Sequence, residues 1–270
     1  MNPLPLEDNF NDIIGKALRG LKLSESEVAS RAGITGDRVA SLVGGTFDET
    51  DARKVAPALG LNPDALAASG KKAWRPKEVN VDGLAQFTTP WEDMMVNSYI
   101  VWDAKSGEAA VFDTGADCSP MLEFLEKHKL RVVKIALTHT HGDHVFDLDR
   151  LKERTGADAI VGSREPIEGA DAAAEQKPFS IGSLKVEARS TWGHSKGGVT
   201  YIVQGLEKPV AVDGDAVFAG SMGGGGVSYV DALRTNREVI MTLPEETVLC
   251  PGHGPLTTVG EEKRHNPFFA

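Results

Sequence analysis

The chain has 270 residues, 41% of them hydrophobic and 25% charged, with a formal net charge of -10. That length supports a packed core of one large domain, or a small domain joined to a medium one, and no run approaches the roughly 18 apolar residues of a membrane span, which excludes a disordered or membrane-spanning chain. The acidic balance argues against broad nucleic-acid binding, and two cysteines, Cys118 and Cys250, are too few for a disulfide framework or a cysteine-rich metal cluster. The segment Met1 to Phe10 is polar and acidic, with no basic and apolar leader pattern, so the expected location is cytoplasmic.

Residues 1–70 read as a small all-α module. Apolar residues recur at helical spacing through Ile13, Leu18, Val28, Val39, Leu42, Val55 and Leu59, predicting four or five short helices between about residues 8 and 69. Ser24 with Glu27 forms a capping box, Gly33 and Gly44-Gly45 are stop signals, and Asn62-Pro63 opens the last helix. The stretch from Leu23 to Thr35, with Arg38 to Leu42 and Ala56 to Leu66, resembles the phage-repressor type of helix-turn-helix domain. That resemblance implies a DNA-reading helix near Thr35 to Val43, yet this stretch offers one base, Arg38, beside Asp37. With seven bases against ten acids in the module, packing or homo-oligomerisation is the expected role ahead of DNA binding.

A polar linker, residues 71–78, leads into a mixed region, residues 79–270. Strands are predicted at Met95 to Trp102, Ala109 to Phe112, Val132 to Leu137, Ala159 to Val161, Leu184 to Ala188, Val199 to Val203, Val210 to Val212 and Thr247 to Cys250. Helices are predicted at Pro120 to His128, Val145 to Arg154 and Ser228 to Leu243.

Three of the seven histidines fall in Thr138-His139-Thr140-His141-Gly142-Asp143-His144, directly after a predicted strand. So many imidazoles beside a carboxylate are hard to satisfy without a metal, and the donor types suit zinc and related borderline ions. His194, Asp215 and His253 follow, each beside glycine at a strand end; His128 and His265 lack such a setting and read as structural. The H-x-H-x-D-H run followed at long spacing by single His, Asp and His resembles the metallo-β-lactamase superfamily over residues 79–270.

The resemblance implies an α/β fold, a four-layer αββα sandwich with a two-metal site at one edge. It further implies that His139, His141 and His194 hold one divalent ion and Asp143, His144 and His253 a second, with Asp215 bridging both. Zinc is the foremost expectation, with iron or manganese as alternatives. Asp143 and Asp215 are the candidate catalytic residues, Asp143 also orienting a hydroxide shared by the metals. Asp113 matches a position that supports the site by hydrogen bonding without ligating. Asp213 competes with Asp215 as the bridge, but Gly214-Asp215-Ala-Val-Phe218 follows the family pattern. Gly193-His194-Ser195-Lys196-Gly197 spells a serine-hydrolase elbow; a strand-like segment follows where a helix is needed, so Ser195 is set aside as a nucleophile.

The ending from Pro251 to Phe269 resembles hydroxyacylglutathione-hydrolase-like members, the glyoxalase II group, which implies hydrolysis of a small-molecule acyl thioester or related ester. Two departures stand against glutathione as the carrier: the 17 residues after His253 leave no room for the family's helical glutathione-binding domain, and Ser221 to Val227 lacks its basic residue. The alternatives are a mononuclear iron persulfide dioxygenase, a lactonase, and a DNA-binding regulator that uses the metal domain as a sensor.

Overall fold

The computed structural model describes residues 4–270; residues 1–3, at the start of the expected module and of the expected leaderless segment, lie outside the described residues. The chain begins with α1 (Phe10–Leu21), α2 (Glu25–Ala32), α3 (Gly36–Val43), α4 (Glu49–Ala58) and α5 (Pro63–Gly70). The capping signals act as expected. Ser24 and Glu27 cap α2 reciprocally, and Asn62 accepts from Asp64 N and Ala65 N at the start of α5, where Pro63, lacking an N–H, needs no acceptor.

Two sheets follow. The first is ordered β1 (Leu84–Trp91), β2 (Met94–Asp103), β3 (Glu108–Phe112), β4 (Arg131–Ala136), β5 (Ala159–Val161) and β6 (Ala170–Ala172), antiparallel from β1 to β3 and parallel from β3 onward. The second runs from β7 (Phe179–Ile181) through β8 (Leu184–Ser190), β9 (Val199–Gln204), β10 (Val210–Gly214) and β11 (Val248–Pro251) to β12 (Thr257–Thr258). Its β10 and β11 are parallel and its other pairs antiparallel. The helices between these strands are α6 (Ser119–His128), α7 (Gly142–Val145), α8 (Leu148–Thr155) and α9 (Tyr229–Thr235), and α10 (Val259–His265) follows β12.

Strand alternation sorts the apolar side chains into layers. Tyr99, Val101, Phe112 and Ala136 point inward to meet Val186, Tyr201, Val203, Val212 and Cys250 between the sheets. Their neighbours Ile100, Val111 and Ile135 point outward to Met121 and Leu125 of α6 and Leu148 and Leu151 of α8. Beyond the second sheet, Ala211 and Leu249 pack on Ile240, Met241 and Val259. The expected four-layer αββα arrangement is therefore present.

Several elements depart from the sequence expectation. Strands β1, β6, β7 and β12 and helix α10 were not expected. The helix predicted from Val145 is broken at Phe146 and Asp147, separating α7 from α8, and the one predicted over Ser228 to Leu243 is α9 followed by a π-helical turn, Asn236–Ile240.

The helical layer is not a free bead on a linker. Ile13, Ile14, Val28, Val39, Leu42, Val55 and Leu59 share one core with Met222, Tyr229, Ala232 and Phe268 from the far end of the chain. The connecting segment is docked as well: Trp74 Nε1 donates to Glu261 Oε2 at 3.0 Å, and its ring stacks on His265 with centroids 5.0 Å apart. No described helix is long and apolar enough to cross a membrane.

Candidate metal centre

The strand ends bring the candidate residues to one edge of the sandwich. His139 to His144 follow β4, His194 lies between β8 and β9, Asp215 follows β10 directly, and His253 follows β11. Two groups result: His139, His141, His194 and Asp215 in one, Asp143, His144 and His253 in the other, with the potential ligand atoms of each within 4.8 Å of one another. Asp215 also reaches the second group, its Oδ1 3.2 Å from His144 Nε2 and its Oδ2 3.5 Å from His253 Nε2.

Each buried imidazole is oriented from behind. His144 Nδ1 donates to Asp113 Oδ2 at 2.8 Å, His253 Nδ1 to Met95 O at 2.7 Å, and His194 Nδ1 to Gly224 O at 2.8 Å. His139 Nδ1 lies 3.1 Å from Thr138 Oγ1, whose own hydroxyl donates to Asp113 Oδ2. A proton fixed on Nδ1 leaves the Nε2 lone pair facing the centre, the tautomer a metal needs. His139 Nε2 and His194 Nε2 both approach His141 Nδ1 at 3.0 Å, three nitrogens converging on one point.

Two features of this donor set suit divalent cations. His144 Nε2 and Asp215 Oδ1 are buried without a hydrogen-bond partner, despite their proximity, which is costly unless something else satisfies them. The local charge also calls for positive ions. Burial alone would depress His144 and His253, yet Asp215 with Asp113 pushes His144 up to about 10, and Asp215 with Asp143 pushes His253 up to about 11. Asp215 stays well below the usual carboxylate range against its burial, through His253 and His144, whereas burial depresses His139 and His194.

Asp113 accepts from Thr138 N and Thr138 Oγ1 at 2.7 Å each, in addition to His144, and holds a left-handed backbone at φ 56°. Asp213 stays outside both groups, with neither carboxylate oxygen hydrogen-bonded and its ionisation suppressed by burial. Ser195 Oγ is buried without a partner and β9 follows it, so the elbow lacks both base and helix. His128 stacks on Phe124 and His265 on Trp74, apart from the cluster. The carbonyls of Gly224 and Met95 were invisible to sequence reasoning, because any residue supplies one. Arg38, the lone base of the expected reading helix, is paired with the buried Asp51.

Residues 91–189 match the sequence model of the metallo-beta-lactamase superfamily. The chain carries the metallo-β-lactamase fold. Among similar proteins, a probable metallo-hydrolase of Bacillus subtilis, YqgX, is 28% identical over 204 residues, spanning 67% of this chain and 95% of its own. The hydroxyacylglutathione hydrolase GloC of Haemophilus influenzae is 28% identical over 202 residues, 64% of this chain and 92% of its own. Among solved structures, the B3 metallo-beta-lactamase BLEG-1 superposes with a TM-score of 0.61 at 28% identity, covering 69% of this chain and all of its own. The alignments to the two relatives cover about two thirds of this chain, so a substantial part of it lies outside them.

Proposed function

We propose that the chain is a two-metal hydrolase of the metallo-β-lactamase superfamily acting on a small acyl thioester or a related ester. The observation that carries this reading is the convergence of imidazoles with outward-fixed Nδ1 protons on two buried carboxylates. His139, His141 and His194 would hold one cation, Asp143, His144 and His253 the other, and Asp215 would serve both. Bound there, the cations supply a polarised carbonyl and a water acidic enough to attack near neutral pH, with no serine or cysteine nucleophile required.

The chain's own groups do the rest. Asp215 and Asp143 bring the negative charge that keeps two cations close, and Asp143 Oδ2, 3.4 Å from His253 Nε2 and 3.5 Å from His144 Nε2, offers an acceptor for a proton leaving water. Asp113 holds His144 in register. An uncharged thioester suits this site better than a polyanion, since residues 71–270 hold 22 bases against 29 acids. The likeness to GloC supports the thioester. Zinc is the first choice of metal, ahead of iron or manganese.

The test is elemental analysis of freshly purified protein together with a panel of acyl thioesters, lactones, a phosphodiester and a persulfide. Two metals per chain with thioester turnover leading the panel is the expected result. One tightly held iron with oxygen-dependent persulfide consumption, or phosphodiester cleavage exceeding thioester hydrolysis, would overturn it.

A further inference from the structure

The glycine-rich segment after Asp215 ties the candidate metal centre to the helical layer. Gly224 O is the acceptor that orients His194, and a Cβ added at Gly223 would lie 1.9 Å from Asp215 O and 2.9 Å from His194 Nδ1. Bare backbone therefore presses on both residues. A run of glycines has no side chains to hold such a path and loses more entropy on ordering than any other residues would. Its restraint has to come from elsewhere.

Asn266 Nδ2 donates to Ser221 O at 2.6 Å and Ser221 pairs with Phe218, and a further restraint comes from the first helix and the residues before it. Lys16 Nζ donates to Met222 O at 2.8 Å and pairs with Asp8, while Ser221 Oγ donates to Asp8 Oδ2 at 2.5 Å. The Met222 side chain is buried in the helical core. Lys16 is itself largely enclosed, its ammonium 5.0 Å from the ring centroid of Phe218, whose ring meets that of His253 edge-on.

We propose that Lys16, together with Asp8, is a positioning residue for the metal centre: it pins residues 221–224 so that Gly224 O holds the His194 imidazole with Nδ1–H outward and Nε2 toward His139, His141 and Asp215. The proposal deepens the metal-hydrolase reading and rests on it. An imidazole without an acceptor at Nδ1 exchanges tautomers and turns about its ring torsion, and each removes the Nε2 lone pair from its place. A charged donor suits the task, because its hydrogen bond to a carbonyl is stronger than a neutral one. The effect falls mainly on one group of donors, since His194 belongs to that group and not to the other.

The experiment uses the full chain, stripped of metal and titrated with cobalt(II) against a competing chelator, with ¹⁵N-histidine NMR of the metal-free protein to report the His194 tautomer. Lys16→Met is expected to weaken one of two binding steps about tenfold, leave the other in place, and raise the Nε2–H form of His194. Lys16→Arg should restore both readouts, and Lys54→Met, an exposed charge-matched control in the same layer, should change neither. Should Lys16→Met fail to fold, Ser221→Ala removes one tether at little cost in volume and is expected to act in the same direction. Unchanged steps and tautomer in a folded variant, or equal weakening of both steps with loss of unfolding cooperativity, would overturn the proposal alone. A wild-type chain that takes up no divalent ion would overturn the metal reading and this inference together.

Discussion

Replacing Glu262 with Gln should stabilise the protein at alkaline pH and leave it little changed in acid. Glu262 is fully buried, and burial pushes its carboxyl up to about 7 against a usual 4.5, despite hydrogen bonds from Thr257 Oγ1, Asn266 Nδ2 and Gly220 N. Between these two values the unfolded chain has lost the proton and the folded chain keeps it. Folding therefore takes up a proton there, and stability falls as pH rises from 4.5 through 7. Integrated between roughly pH 5 and pH 8, the penalty is about 2 to 3 kcal/mol. Gln fits the same network, its carbonyl facing Gly220 and Asn266 while its amide donates to Thr257, whose hydroxyl is free to turn. Urea unfolding of both proteins at the two pH values isolates the effect, because titrations common to both cancel in the difference. A wild-type-minus-variant difference that stays flat from pH 5 to pH 8 would show that the three hydrogen bonds offset burial completely, and the reasoning would fail.

Asp215→Asn should abolish turnover and weaken metal retention by more than about a hundredfold, since the bridge loses the charge that offsets two cations; chelator competition with elemental analysis checks it. Ser195→Ala should retain most activity and fold at least as stably, because the hydroxyl removed is buried without a partner. A loss of more than about a hundredfold in kcat/KM would restore the serine mechanism. Gly20→Ala sets two effects against each other, a helix-propensity gain of about 1 kcal/mol and overpacking costing about 1 to 3 kcal/mol. A Cβ there would lie 2.2 Å from the Tyr229 ring, so net destabilisation is expected, and a raised urea midpoint would contradict it.

The inner strands were legible because they hold short valine-rich runs buried on both faces, as in residues 199–203 and 210–212. β1 escaped because Gln86 and Pro90 interrupt its strand pattern, and its pairing with β2 supplies what propensity does not. α10 escaped because Val259-Gly-Glu-Glu-Lys-Arg-His265 has too few apolar residues for a helical stripe; it is fixed by the Thr258 cap and the buried Glu262. The clustering of His139 to His144 with Asp215 and His253 was legible because side-chain chemistry of that density has few other uses. The partners that orient these imidazoles were not, apart from Asp113. Nor did the charge of the helical module reveal that its apolar face meets Tyr229 and Phe268.

The shared core of the helical layer also bears on the order of assembly. Lys16 and Met222 stand 206 positions apart, and Asn62 N donates to Pro267 O at 2.8 Å. During synthesis the five helices leave the ribosome well before Met222, Tyr229, Ala232 and Phe268, which cover their apolar face. Contacts of such separation carry a loop-closure cost that local helix pairing does not, so the shared part of this core closes only when the later residues arrive. Its completion is coupled to that of the sandwich, and a nascent chain stalled before Tyr229 would present the face of Ile13, Leu18 and Val28 to chaperones rather than to its own core.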